Sequence, residues 1–170
     1  VATVDLGLAT LTSATSYYDN ESTAVNDSTS LFVNTGSFNF WPYYGNFPRG
    51  LAVTSTYNME KSFVQEVRVV SNWDKPLNYV AGVYFQRQSR HSGYDGYAPG
   101  LDDFSLATGF PFAGPSTPLD QTFLLSRDTI FRDGAVFGEL TYNVTSKWQI
   151  TGGARFFHQS FQVDAVNNFV

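Results

Sequence analysis
The chain has 170 residues, a net charge of −5 and no cysteine, which suits a single domain and excludes a disulfide framework and thiolate metal sites. Charged residues are only 15% of it, against about a quarter in an ordinary soluble domain, while aromatics reach 17%. Three Lys and four Glu cannot clothe the outer face of a helical bundle, the aromatics exclude ordinary disorder, and ten scattered basic residues form no stripe for a phosphate backbone, so nucleic acid is not an expected partner.

The start, Val1-Ala2-Thr3-Val4-Asp5, lacks the basic residues and apolar core of a signal peptide. A first strand is predicted over Leu6 to Tyr18, where Leu11-Thr12-Ser13-Ala14-Thr15-Ser16-Tyr17 is rich in small residues that strands tolerate. Asp19 to Lys61 reads as a long irregular stretch, with Gly, Pro, Asn and Asp among scattered aromatics. A hairpin follows: Ser62 to Ser71, a turn over Asn72-Trp73-Asp74-Lys75-Pro76, and a return from Leu77 to Gln88. Within it Tyr79 to Phe85 is the longest apolar run, far short of the roughly 20 residues of a membrane helix. A second irregular stretch, Ser89 to Asp133, leads to a second hairpin, Ala135 to Val144 and Trp148 to Gln159 about Thr145-Ser146-Lys147.

Period-two alternation sorts these strands into two faces. Phe63, Val67 and Val69 fall with Gln65; Tyr79, Ala81, Val83 and Phe85 fall together, as do Trp148, Ile150, Gly152, Ala154 and Phe156. The opposite faces hold Val64, Glu66, Arg68 and Val70, then Asn78, Val80, Gly82, Tyr84, Gln86 and Gln88, then Gln149, Thr151, Gly153, Arg155 and Gln159. Pairing about each turn sets Glu66 across from Gly82 and Glu139 across from Gly153, with Arg155 diagonal to Glu139. The fold class is therefore all-β, an antiparallel meander of about five strands with long outer loops. A soluble β-sandwich, perhaps a carbohydrate-binding module, would bury the apolar face; a transmembrane barrel would turn it to lipid. Strands near ten residues, connections alternating short and long, and aromatics at strand ends (Trp73, Tyr79, Tyr142, Trp148) favour the barrel.

Three strings also carry a family likeness. Ser62 to Ser71 followed by Leu77-Asn78-Tyr79-Val80-Ala81-Gly82-Val83-Tyr84-Phe85 resembles a hairpin of TonB-dependent outer-membrane receptors. Ala135-Val136-Phe137-Gly138-Glu139-Leu140-Thr141-Tyr142 with Trp148 to Phe156 resembles the next hairpin, and Leu11 to Tyr17 the strand that precedes them. The resemblance implies a bacterial outer-membrane location and a barrel of about 22 strands around a plug domain. It also implies energised import of a scarce nutrient (a siderophore, cofactor or glycan) driven by the TonB complex. Five strands cannot close a barrel, so the chain reads as an internal segment whose expected partners are outer-membrane lipid, the plug of the same parent chain, the TonB complex and an unidentified small molecule.

Glu66, Arg68, Glu139 and Arg155 are candidate lumen charges, with ordinary ladder pairing as their plain alternative. Trp41, Tyr43, Tyr44, Tyr94 and Tyr97 are candidate ligand-contact aromatics in the outer loops, joined by Asp102 and Asp103. Asp102 and Asp103 lack the spaced oxygens of a calcium loop, and His91 (a loop histidine) and His158 (a strand histidine) stand apart. No catalytic, cofactor or metal site is expected: there is no Gly-rich phosphate loop and no G-x-S-x-G elbow.

Overall fold
The computed structural model describes residues 1–30, 47–48, 51–109 and 119–169. Six strands form one antiparallel sheet in chain order: β1 (Ala2–Asp5), β2 (Ala9–Asp27), β3 (Val53–Ser71), β4 (Leu77–Tyr97), β5 (Gln121–Asn143) and β6 (Gln149–Phe169). A helix, α1 (Leu101–Thr108), lies in the connection from β4 to β5. The fold class is as expected, an all-β meander, and no second sheet stacks on it among the described residues, so the sandwich alternative has no partner layer.

Three expectations are corrected. The strand expected over Leu6 to Tyr18 begins at Ala9 and is preceded by a further strand: β1 pairs with β2 in the register Ala2↔Ser13 to Asp5↔Thr10, and the chain turns at Leu6, Gly7 and Leu8. Gly7 takes φ 81°, a left-handed conformation that favours glycine, and its N–H donates to Asp5 Oδ1 at 2.7 Å. The described residues form six strands, in keeping with a meander of about five, but from β2 onward these run 19 to 23 residues, about twice the expected length. Much of Asp19 to Lys61 and of Ser89 to Asp133 is accordingly strand, because ladder hydrogen bonds from a neighbour hold extended even segments whose polar residues read locally as loop.

The chain divides into two compact units. The first comprises Val1–Asp19, Glu60–Ser89 and Thr129–Val163 and contains the short turns. At the β3–β4 turn Trp73 Nε1 donates to the Leu77 carbonyl at 2.7 Å, and Lys75 lies 4.8 Å from the Trp73 ring. At the β5–β6 turn Thr145 Oγ1 accepts from the N–H groups of Lys147 and Trp148. Exposure alternates along β4: Ala81, Val83 and Phe85 are exposed, while Gly82, Tyr84 and Gln86 are half-buried. The apolar face bears Phe63, Val83, Phe85, Val136, Leu140, Ile150 and Phe156 in the open, Ile150 at 68% and Phe156 at 71%. Over nine residues of β3 (63–71) this face carries Phe63, Val67 and Val69 with Gln65 and Ser71 among them, and over nine of β4 (77–85) it carries Leu77, Tyr79, Ala81, Val83 and Phe85. Trp73, Tyr79, Tyr142 and Trp148 edge it at the short turns.

The second unit comprises Asn20–Met59, Arg90–Asp128 and Asp164–Val170. Its apolar cluster joins Phe47, Ala98 and Leu101, with Phe104 packed against Phe47 at 5.3 Å between ring centroids. Asp120, at φ 63°, clasps α1 to the start of β5: its carboxylate accepts from the N–H groups of Gly100 (2.9 Å) and Asp102 (3.0 Å), and its own N–H donates to Asp102 Oδ2 (2.9 Å). An acceptor at the open N–H groups of a helix start does the work of an N-cap from outside the helix.

Candidate functional site
The polar face of the first unit gathers the candidate charges. Glu66 and Arg68, two residues apart on β3, stand 3.9 Å from each other and line an open depression of about 440 Å³ with Thr12, Ala14, Ser16, Val64 and Tyr84. A glycine opposite a carboxylate could leave room beside it, but at Gly82, across from Glu66, the ring of Phe137 takes that space, so that a Cβ at position 82 would overlap the ring, the device by which an aromatic covers a strand glycine. Gly153 does sit against Glu139, where an added Cβ would stand 3.3 Å from the Glu139 Cβ. Thr141 and Thr151 hydrogen-bond at 2.9 Å beside them.

Arg155 keeps its diagonal place to Glu139, and the two line one open depression, but its ion pair is with another carboxylate. Its guanidinium lies 5.2 Å from the centre of the Tyr84 ring and 3.8 Å from Asp133 Oδ2. The side chain therefore runs across Ala135, which is buried, toward a carboxylate that is 9% exposed and whose Oδ1 is buried with no hydrogen-bond partner. Tyr84 in turn donates to Gln86 Oε1 at 2.8 Å. Tyr84 stands on the polar face as its parity predicts, while Asp133 falls in the stretch expected to be irregular; strand parity places it on the face of Phe137 and Glu139 once β5 extends past Ala135.

In the second unit, Tyr94 and Tyr97 belong to β4 rather than to a loop. Tyr94 packs edge-on against Phe123 at 5.6 Å. Burial pushes the Tyr97 phenol upward, aided by the charge of Asp95 and by Tyr57, and burial likewise raises the Asp95 carboxyl. His91, also on β4, bonds Asp128 at 2.7 Å and stacks beside Tyr57, whose ring covers Gly93 as Phe137 covers Gly82. Asp102 is buried in the clasp with Asp120, so its carboxylate serves the connection, while Asp103 is exposed. Trp41, Tyr43 and Tyr44 lie outside the described residues. His158 is on β6, and among the described residues no group of three His, Cys, Asp or Glu could hold a metal ion.

Geometry of this kind, a single antiparallel meander with a polar face, an apolar face and short turns at one set of strand ends, is that of a stretch of β-barrel wall. Among solved structures the chain is similar to the ferric yersiniabactin uptake receptor FyuA from Yersinia pestis, with a TM-score of 0.67 and 14% sequence identity over 99% of this chain. The chain spans 20% of that receptor's length. No family model matches the chain, and no curated protein matches it in sequence.

Proposed function
We propose that this chain forms part of the barrel wall of a TonB-dependent outer-membrane receptor that imports a scarce nutrient of the siderophore, cofactor or glycan class. The observation that carries the reading is the apolar belt: nine residues per strand on β3 and β4, matching the 9–11 residues of a tilted transmembrane strand, with an aromatic edge at the short turns. Lipid is the environment in which open Ile150, Phe156 and Trp148 cost nothing, whereas water penalises each by about 1.5–3 kcal/mol relative to burial. The likeness to an uptake receptor supports the same reading.

On this reading the polar face, with Glu66, Arg68, Glu139 and the Asp133–Arg155 pair, lines the lumen and meets the plug of the parent chain. Ligand recognition falls to the connections between the long strands, with Asp103 on α1 and with Tyr94 and Tyr97 at the end of β4 as candidate contacts, and Trp41, Tyr43 and Tyr44 remain candidates from the sequence. Asp102 supports the connection that presents them. Import consumes energy from the TonB complex, and the wall itself performs no chemistry.

The test is single-cysteine labelling along β4 of the full-length protein in vesicles, with a fluorophore read against bromine-labelled lipid. Quenching should be strong at positions 81, 83 and 85 and weak at 84 and 86. Equal quenching at odd and even positions overturns the membrane reading. Loss of growth on one supplied iron chelate, cofactor or glycan after gene deletion would then identify the cargo class.

A further inference from the structure
Where the apolar belt ends, the same face of the sheet carries a row of charge that neither the lumen nor the ligand connections explain. Gln88 bonds Glu60 at 2.8 Å across β3 and β4, a register that sets Lys61 beside Arg87 on the opposite face. The Asn143 N–H donates to the Pro76 carbonyl at 2.7 Å, and Phe137 covers Gly82, a register that sets Arg87 beside Arg132 across β4 and β5. On β2, Asp19 bonds Lys61 at 3.3 Å. One hydrogen-bonding row therefore reads Asp19, Lys61, Arg87, Arg132 across four strands, and all four residues are exposed. One step toward the short turns lie Phe63 and Phe85, whose rings are 6.4 Å apart, and beyond Gly134 lies Val136.

Like charges directly opposite on neighbouring strands destabilise a sheet, since the side chains start about 4.5–5.5 Å apart. Asp19 answers Lys61, but Arg87 and Arg132 have no ion-pair or hydrogen-bond partner among the described residues, and Asp128, the next carboxylate of β5 on this face, is taken by His91. Two adjacent guanidinium forks suit the oxygens of one phosphate, which each can bind bidentately. A free anion would satisfy the charge alone. A lipid would satisfy the charge and also lay acyl chains over Phe63, Phe85 and Val136 immediately below.

We propose that Arg87 and Arg132, with Lys61 at their flank, form a binding site on the lipid-facing surface for the phosphate of a membrane lipid headgroup. The inference rests on the membrane reading above and adds a site to it. It locates the edge of the hydrocarbon on β3 and β4, with residues 63–71 and 77–85 between this row and the short turn.

The experiment uses the full-length protein in uncharged detergent, titrated with fluorescent phosphatidic acid or with diacylglycerol of the same chains, alongside the lipid-quenching assay on the same sample. Wild type should prefer phosphatidic acid, and the R87Q/R132Q pair should weaken that binding by about 25-fold, about fivefold for each arginine near the charged surface. K147Q, at a short turn, should bind as wild type does. Unchanged binding by the double variant overturns the site, and if lipid quenching still alternates along β4, the membrane reading survives it. Quenching without alternation overturns both. Competition by inorganic phosphate at the concentration of the lipid shows a plain anion site and overturns the lipid as its occupant.

Discussion

At the scale of single residues, parity decides which chemistry a side chain can reach. Glu66, Arg68, Glu139 and Arg155 could be assigned to one face from alternation alone, and the structure places them there. Their partners could not: Arg155 is long enough to pass over Ala135 to Asp133, and the space at Gly82 goes to Phe137 from the neighbouring strand. Both depend on which strand lies alongside, a fact with no local signature. Asp95 shows the converse, a carboxyl whose environment has a measurable consequence. Burial raises it above its ordinary 3.8, so its charge disfavours the folded state once pH exceeds the raised value, and that penalty is absent below 3.8. Asp95→Asn is expected to be more resistant to denaturant than wild type at pH 7 and to lose that advantage as pH falls below 3.8. An advantage that instead grew on acidification would contradict the burial.

At the scale of elements, the turns were legible where their chemistry is strong. Asn72 to Pro76 and Thr145 to Lys147 announce themselves through turn residues, and Trp73 and Thr145 then hold them by side-chain hydrogen bonds. The turn at Gly7 passed unnoticed because a lone glycine between two leucines is a weaker mark, although Asp5 two residues earlier is the acceptor that completes it. The clasp between α1 and β5 was illegible, since Asp102 and Asp120 are 18 residues apart and meet only after folding. Removing the Asp120 carboxylate is expected to free two helix-start N–H groups at a cost of about 0.5–2 kcal/mol. In the full-length protein, Asp120→Ala should speed hydrogen exchange at Gly100 and Asp102 by roughly tenfold and leave the β3–β4 ladder unchanged. Equal acceleration in that ladder would mean that the clasp supports more than the connection.

At the scale of the whole molecule, the governing fact is that the described residues build no ordinary interior. Of the buried apolar residues described, Ala9, Ala52, Ala98 and Ala135 are alanines, and no described side chain is fully buried. Large apolar groups such as Trp148, Phe156 and Phe161 are open instead, and the outer strands of a six-stranded sheet leave unpaired edges. Residues 1–170 expressed alone in water should therefore aggregate and be recovered with β-type circular dichroism only in detergent. A monomeric peak on size exclusion with a cooperative melt would refute a lipid-facing belt.

Strand alternation, the aromatic ends and the two short turns are local properties, written at a spacing of two residues, and they were enough for an all-β meander with one apolar face. The length of β2 to β5 and the charged row across Lys61, Arg87 and Arg132 depend on pairing between residues far apart in the chain, as Lys61 is from Arg87 and Arg87 from Arg132. Such contacts leave no periodic trace in a polar segment. Backbone hydrogen bonding to a neighbour is indifferent to side-chain type, so the ladder continues through residues that by themselves read as loop. Only the completed register shows which charges stand together.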